Sequence, residues 1–395
     1  MSKASLPFSC PNKDCGAYRG FSRKSDYSLH GYYSGKNFKG LRRRFLCKKC
    51  GKTFSETASD LLSYRLKIGH INSKIFDEVT ASRSGCEAAR RVGVSEHCVR
   101  IRLRRMAQFS YLRHSSLVRE FRLKEKIVFD GLRNFAKDQF SPNEINHFVL
   151  DYSQFILYFN FVPLNRRGTM SPSQRVKNQL IQLHSGRYPK YATRKAIVNA
   201  ISWITRNTLD LREEISLISD EHYQYRLAVE KDLNSLNIIH RKISSKRGRN
   251  FKNALFPVNF LDNMIRKDSS AFARETLCFN KKHSAMVDRY MLFSVRRNYM
   301  MPIFSKEVKS KPEAHLLSPA QMAGVSCRME NFESFFNASL RCFKDESIMS
   351  NEWMLFYDGV VPFPRKKRGK GTTLPVGQLE TNIGESGDNR GASAS

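Results

Sequence analysis

Two aspartates follow short apolar runs, where a carboxylate can hold a metal ion over the edge of a β-sheet. Asp130 follows the β-type run 127–129, and Gly131 after it predicts that the backbone turns there. An Asp-Gly pair after a strand is often no more than a turn. The same pattern returns 90 positions later, where the run 215–219 ends on Asp220. The repetition favours a paired carboxylate site built on two strand ends.

Four cysteines in two close pairs are the second group with chemistry of its own. Cys47 and Cys50 are separated by two residues and followed by Gly51, which gives the tight turn that aims two thiolates at one zinc ion. Cys10 and Cys15 are separated by four residues, which is still within zinc-finger spacing. In a reducing compartment, close pairs indicate a metal site more often than disulfides. We therefore expect one structural Zn²⁺ held by these four thiolates.

The surroundings of the cysteines leave one alternative open. The pairs are 31 residues apart, with His30 between them and His70 beyond, so a mixed cysteine–histidine site is also possible. Arg42, Arg43 and Arg44 would stand beside the second pair and contact DNA phosphates. Four protein ligands leave no open position on zinc, which favours a structural ion over a catalytic one.

The segment 84–106 is typical of a helix-turn-helix. Gly93 lies where the chain must turn tightly, and Ser95 is a suitable N-cap for the second helix. In such a motif the second helix enters the major groove of DNA. An ordinary helical hairpin with a solvated basic face is the alternative. The residues expected on the outer, DNA-facing side of the second helix are His97, Arg100 and Arg104.

The charge of the chain points to a polyanionic partner. The 395 residues carry 68 Lys and Arg against 36 Asp and Glu, a net charge of +32, and residues 1–125 hold +17 of it (27 basic minus 10 acidic). Neutralising phosphates releases counterions, so nucleic acid is the expected partner. An anionic membrane is the competitor, but no apolar run approaches the length of a membrane span and no signal-peptide core follows Met1. We expect an intracellular protein.

Residues 126–300 predict an α/β sheet of mixed direction. Three strands come first, then two helices, the strand at 215–220, a helix, a fifth strand at 237–243, and further helices at 258–276 and 284–299. The tail is rich in glycine, serine and lysine and is expected to be disordered. The predicted units are 1–58, 59–125 (which ends in a basic helical linker from 107), 126–300, 301–364 and 365–395.

Taken in order, these parts resemble the DDE-type transposases of bacterial insertion sequences. The resemblance spans roughly residues 8–325 and rests on the order of several short motifs. It implies a zinc ribbon, a helix-turn-helix domain, and a ribonuclease H-like catalytic domain with a mixed five-stranded sheet and flanking helices. The motifs are 129–135 with Gln139 and Pro142, 166–170, 219–222, 253–259, and 274–276 with Phe279.

The resemblance also implies a catalytic site. Three carboxylates would bind two Mg²⁺ ions, which activate the nucleophile and stabilise the leaving oxygen during phosphoryl transfer on DNA. Asp130 and Asp220 match the first two positions. The family usually places Glu at the third, where this chain offers Asp262, and Glu275 further along the expected helix is the alternative. Arg266 shares a helical face with Asp262 and would contact a phosphate of the cleaved strand.

The activity implied by the resemblance is binding of the element's terminal inverted repeats, followed by cleavage and joining of DNA strands. The partners would be double-stranded DNA, at the element ends and the target, and further copies of the chain in a homodimer or higher oligomer. The protein would act in the bacterial cytoplasm, on the nucleoid. One alternative is a non-catalytic DNA-binding regulator or an inactivated transposase, and another is a nuclease or recombinase domesticated by its host.

Overall fold

The computed structural model describes the chain in segments that include both groups of candidate ligands. These residues are 10–12, 14–17, 26–34, 41–55, 62, 71–119, 121–208, 214–244, 246–248, 250–273, 278–307, 311–336 and 349–361. The tail predicted to be disordered, 365–395, lies outside them. Within these segments, no helix is both long enough and apolar enough to cross a lipid bilayer.

A small antiparallel sheet lies next to the cysteines. Its strands, in spatial order, are β1 (Tyr27–Tyr33), β2 (Arg42–Cys47) and β3 (Thr53–Ser55). The Phe54 ring packs 5.3 Å from the ring of Tyr27 and 6.1 Å from the ring of Phe45. So few apolar side chains rarely hold a fold without a metal or a disulfide. The thiols beside this sheet are therefore well placed to stabilise it.

Three helices follow, and local residues set their ends. They are α1 (Asn72–Thr80), α2 (Gly85–Val92) and α3 (Glu96–Arg119). Ser84 caps α2 through its side chain, and Gly93 ends it with a φ of 74°, a left-handed conformation that glycine adopts without strain. The hydroxyl of Ser95 accepts a hydrogen bond from the backbone N–H of Cys98, 3.2 Å away, at the start of α3. The tight turn expected between the two helices is therefore present.

The helix α3 continues well past the stretch expected to read DNA. It has 24 residues, and its second half is buried in the main apolar core. The Tyr111 ring packs 6.3 Å from Phe159, and the His114 ring stacks 5.5 Å from Phe155. The stretch 107–119, expected to be a basic linker, is therefore a core helix. Burial of its aromatic and aliphatic side chains, and not the charge of its arginines, decides where this stretch lies.

The centre of the molecule is a mixed five-stranded sheet, as the sequence predicts. Its strands, in spatial order, are β6 (Ile156–Pro163), β5 (Pro142–Leu150), β4 (Ile127–Phe135), β7 (Ile215–Asp220) and β8 (Ile238–Ile243). The first three strands along the chain form an antiparallel meander, whereas β7 runs parallel to β4, and β8 runs parallel to β7. Parallel neighbours need crossover connections, and helices lie in the segments between β6, β7 and β8.

Helices flank both faces of this sheet. The remaining ones are α4 (Pro172–Ser185), α5 (Ala192–Thr208), α6 (Tyr223–Leu227), α7 (Phe256–Asp268), α8 (His283–Tyr299), α9 (Pro319–Met322), α10 (Phe332–Phe336) and α11 (Asn351–Tyr357). On one face, Tyr158 of β6 stacks on Trp203 of α5 at 4.8 Å. On the other face, Phe159 of the same strand packs 4.6 Å from Tyr290 of α8. The sheet is therefore the middle of three layers.

The exposed side of edge strand β6 is closed by side chains. The amide of Asn298 donates to the carbonyl of Ile156 and accepts from its N–H, both at 2.9 Å. The indole of Trp353 donates to the carbonyl of Phe159 at 2.8 Å. An unpaired edge strand invites pairing with another chain. The side chains from α8 and α11 therefore occupy backbone hydrogen-bonding groups on the unpaired side of β6 and anchor the sheet to these helices.

Candidate functional site

The two aspartates predicted from the sequence lie on neighbouring strands. The parallel register pairs Val128 of β4 with Ile218 of β7. Continuing that register by two residues places Asp130 beside Asp220, on strands about 4.8 Å apart. The Asp220 carboxylate accepts a hydrogen bond of 2.9 Å from the backbone N–H of His222. The topology therefore brings together two carboxylates that are 90 positions apart in the chain.

The surroundings of Asp130 make its ionised form costly. Burial, together with the charges of Asp220, Asp262 and Glu144, raises the pKa of its carboxyl group to about 7. A hydrogen bond of 2.7 Å from the Gly131 backbone opposes this effect. A bound cation would remove the repulsion and favour the ionised carboxylates. The electrostatics of the site therefore fit a divalent ion.

Asp262, on α7, contacts a histidine that the sequence analysis did not predict to be part of the site. His147 on β5 lies directly opposite Asp130 in the antiparallel register. Its Nε2 is 3.3 Å from a carboxylate oxygen of Asp262. The imidazole is fully buried and stacks on Tyr290, and burial lowers its pKa to about 3. This contact does not have hydrogen-bond geometry, but it shows that Asp262 lies on the side of the sheet that carries Asp130.

The three aspartates have the right donor atoms for magnesium, but they are widely spaced. Among the described residues, the four cysteines are the one group of three or more potential ligands whose donor atoms all lie within 4.8 Å of each other. Asp130, Asp220 and Asp262 are thus more widely spread than that. Their oxygens are the donors that Mg²⁺ prefers. The donor chemistry fits, and the carboxylates must converge further to share an ion.

A fourth carboxyl group, Glu144, was not anticipated. It is 4% exposed, and burial raises the pKa of its side chain. The prediction of a turn at Gly131 is wrong, because β4 runs straight through this residue. A Cβ atom at position 131 would lie 2.5 Å from Cδ of Glu144. Glycine is needed there for the close approach of that side chain and not for a turn.

Of the two remaining candidates, Arg266 lies within the described residues and Glu275 does not. Arg266 donates to the backbone carbonyl of Arg133 and to that of Phe272, both at 3.2 Å. It therefore ties the end of α7 to β4 at the margin of the aspartate group. Glu275 lies outside the described residues, and α7 ends at Asp268, eight positions before the predicted end. The single helix expected to carry Asp262 and Glu275 is therefore not present.

The four cysteines form the second site, and here the predicted residues come together. The Sγ atoms of Cys10 and Cys50 are 3.6 Å apart, and those of Cys15 and Cys47 are 3.7 Å apart. A hydrogen bond from the Lys52 backbone lowers the pKa of the Cys50 thiol to about 7, whereas burial raises the pKa of Cys10. Zinc binds thiolates and displaces their protons. Four converging thiols fit a structural metal such as zinc.

The mixed cysteine–histidine alternative finds no support at His30. This residue lies on β1 with an exposed side chain and does not belong to the cysteine group. His70 lies outside the described residues. Of the three arginines beside the second pair, Arg43 and Arg44 are exposed and Arg42 is partly buried, all on β2. They place positive charge on the surface of the small sheet.

The first turns of α3 present two of the three predicted DNA-facing residues. His97 and Arg100 are exposed, with Nδ1 of His97 2.7 Å from the guanidinium of Arg100. Arg104 was expected on the same outer face, and this placement is wrong. Its guanidinium forms an ion pair of 2.5 Å with Asp288 of α8 and donates to the backbone carbonyls at the end of α11. The buried charge of Asp288 draws it inward.

Comparisons with known proteins do not place the chain in a family. No protein-family model matches its sequence, and no curated protein matches it significantly. The function is therefore inferred from the residues and their placement.

Proposed function

We propose that this protein is a DDE-type transposase that cleaves and joins DNA strands with divalent metal ions. One observation carries the proposal. Asp130 and Asp220 lie side by side on parallel strands, and Asp262 reaches the same side of the sheet through His147. Three carboxylates from three separate elements lie near one another, where burial and mutual repulsion favour a cation.

The strand order supports a ribonuclease H-like catalytic domain. Such a domain has an antiparallel meander of three strands extended by two parallel strands, and this arrangement is present in the order β6-β5-β4-β7-β8. The first aspartate then lies on the central strand and the second on its parallel neighbour. This agreement of topology and residue position extends the short-motif resemblance to the fold.

Each carboxylate has a defined task in the proposed reaction. Two Mg²⁺ ions, held by Asp130, Asp220 and Asp262, would supply charge neutralisation at the nucleophile and at the leaving oxygen. The backbone N–H groups of Gly131 and His222 fix one oxygen of each strand aspartate and leave the other oxygen available. Asp262, whose side chain is one methylene shorter than glutamate, lies against His147. Arg266 adds positive charge near the cleaved strand.

The N-terminal third would bind the ends of the element. We interpret the cysteine unit as a zinc ribbon and α2 with α3 as a helix-turn-helix. Arg42, Arg43 and Arg44 would contact phosphates, and His97 with Arg100 would reach the major groove. The net charge of +32 suits a long duplex partner and a second copy of the chain on the same DNA.

One observation favours a second candidate, an inactivated transposase that only binds DNA. Asp262 replaces the glutamate usual at this position, and His147 already contacts its carboxylate. If that contact keeps Asp262 from the shared ion, the chain would bind DNA and regulate without cutting it. The two candidates make opposite predictions for metal-dependent cleavage.

The test is cleavage of a supercoiled plasmid that carries the gene with its flanking DNA. We expect the purified full-length chain with Mg²⁺ or Mn²⁺ to produce ends that map to inverted repeats beside the gene. Asp130→Asn and Asp220→Asn should bind the same DNA and leave it uncut. Asp232→Asn, which changes a surface aspartate paired with Arg194, is the matched control and should cut normally. Binding without cleavage by the unaltered protein would favour the second candidate.

A further inference from the structure

A cavity of about 310 Å³ opens beside the aspartate group. It lies where the ends of β5 and β6 meet the turn between β7 and α6, and it is within the size range of small-ligand pockets. His222 lines it and also donates its backbone N–H to Asp220. Glu144 lines it too, and its side chain lies over Gly131, on the face of β4 opposite to the one that carries the Asp130 side chain. The cavity therefore opens on the α5 face of the sheet, and His222 connects it to Asp220 at the end of β7.

One side of the cavity is cationic. Arg133, Arg166, Arg167 and Lys190 all line it. The guanidinium of Arg166 donates to the carbonyl of Gln139 at 3.0 Å, while its Nε is buried and has no hydrogen-bond partner among the described residues. A buried donor without a partner is costly unless a ligand satisfies it. Guanidinium groups bind phosphate through paired hydrogen bonds, so this side fits a phosphate group.

Another side is aromatic. The rings of His222 and Tyr223 lie 5.3 Å apart, and Tyr223 is 43% exposed. Its ring is therefore accessible to a ligand. Aromatic side chains that line a groove for single-stranded nucleic acid stack on bases.

The inner end carries a buried carboxylate with weak partners. Glu144 is 4% exposed, and its oxygens lie 3.5 Å from Nε of Arg133 and 3.5 Å from the hydroxyl of Thr193. Both contacts are long for hydrogen bonds. A carboxylate in this state is suited to accept a hydrogen bond from the exocyclic amino group of a base.

We propose that this cavity binds one unpaired nucleotide of the DNA strand that passes the aspartates. Its phosphate would face Arg166 and Arg133, its base would stack on Tyr223, and an amino group of the base would bond to Glu144. The inference rests on the proposed function, because that function makes DNA the substrate. It adds a preference that the function alone does not imply: adenine, cytosine and guanine carry an exocyclic amino group, and thymine does not.

The test uses the full-length chain and 2-aminopurine deoxyriboside 5′-monophosphate, a fluorescent nucleotide with an exocyclic amino group. Binding should quench its fluorescence through stacking. Tyr223→Ala and Arg166→Ala should each weaken binding about tenfold. Tyr191→Ala is the matched control, because Tyr191 is 46% exposed beside Lys190 but does not line the cavity. Absence of quenching, or equal weakening by Tyr191→Ala, would overturn the proposal.

Competition defines the ligand class. Deoxycytidine monophosphate should displace the probe about tenfold more effectively than thymidine monophosphate, and Glu144→Gln should narrow that difference. Inorganic phosphate that competes as well as either nucleotide would reduce the cavity to an anion site and overturn the proposal. Because this assay involves no strand cleavage, failure of the cavity and failure of the transposase function give separate results.

Discussion

The cysteine group and the aspartate group differ in how their ligands are brought together. Each cysteine pair comes from one short turn, and the four Sγ atoms lie within 4.8 Å of each other without an ion. The aspartates come from β4, β7 and α7, and they are spread more widely. Neutral thiols tolerate close packing, whereas buried carboxylates repel one another. Local spacing thus assembles the first site, and the folded sheet together with a cation must assemble the second.

The largest expected effect is at the cysteine group. Cys47→Ser in the full-length chain should abolish stoichiometric zinc and unfold the β1–β3 sheet, because binding of a structural zinc contributes on the order of 10 kcal/mol to such units. Metal analysis with limited proteolysis of the N-terminal segment measures both. Cys86→Ser changes an exposed cysteine outside the group and is the control. Zinc retained in Cys47→Ser at full occupancy would refute the four-thiolate site.

The second expected effect concerns Arg104, whose placement depends on contacts that its local sequence does not reveal. Arg104→Ala should lower the free energy of unfolding by about 3–5 kcal/mol, because it leaves Asp288 buried without its cation. Chemical denaturation measures the loss. Arg100→Ala, one turn away on the exposed side, should stay within about 0.5 kcal/mol of the unaltered protein. Equal stability of the two variants would contradict the buried Arg104–Asp288 ion pair and support the original placement of Arg104 on the DNA-facing side.

The third expected effect has the opposite sign to that at the cysteines. The folded pKa of Asp130, about 7, exceeds its ordinary value of 3.8, so in metal-free buffer the protein should lose stability as pH rises from about 4 to 7. Asp130→Asn removes this loss and should stabilise the protein at pH 8 by roughly 4 kcal/mol, since the pKa difference of about 3 units corresponds to about 1.4 kcal/mol per unit. Thermal unfolding at pH 5 and pH 8 measures it. A destabilised variant at pH 8 would contradict mutual repulsion in the aspartate group.

The smallest expected effect is at the proposed recognition helix. Arg100→Ala should weaken specific DNA binding by about 1–3 kcal/mol if the guanidinium reads a base. If it meets only phosphate, the loss should be uniform across sequences, and the salt dependence should fall by about one charge. Titrations of specific and unrelated duplexes at several salt concentrations separate these results. No change in either quantity would remove this helix from the DNA interface.

The sequence predicted features that depend on neighbours along the chain. The five strands, the N-cap of α3 at Ser95 and the turn at Gly93 all follow from short-range patterns, and all are present. Gly131 was misread because its reason is a side chain on the neighbouring strand, Glu144, which the local Asp-Gly pattern does not reveal.

The parts of the candidate site that were missed are defined by tertiary contact. His147 lies in a strand whose sequence mixes polar and apolar residues, and only the antiparallel register places it opposite Asp130. Glu144 has no distinctive local pattern, and only the fold buries it and places its side chain over Gly131 at the end of the sheet. The one sequence signal that could have found either residue is a polar side chain in a strand buried on both faces.

Cleavage by aspartate variants tests the central claim, that Asp130, Asp220 and Asp262 act as one metal site on DNA. The substrate is a duplex carrying the ends mapped from the flanking DNA, with binding and strand cleavage measured in Mg²⁺. We predict that Asp262→Asn binds these ends like the unaltered protein and fails to cut them as completely as Asp130→Asn does, because a two-ion site is lost with any one of its ligands. Normal cleavage by Asp262→Asn together with loss in Glu275→Gln would contradict the assignment of Asp262, and normal cleavage by Asp130→Asn would contradict the metal site itself.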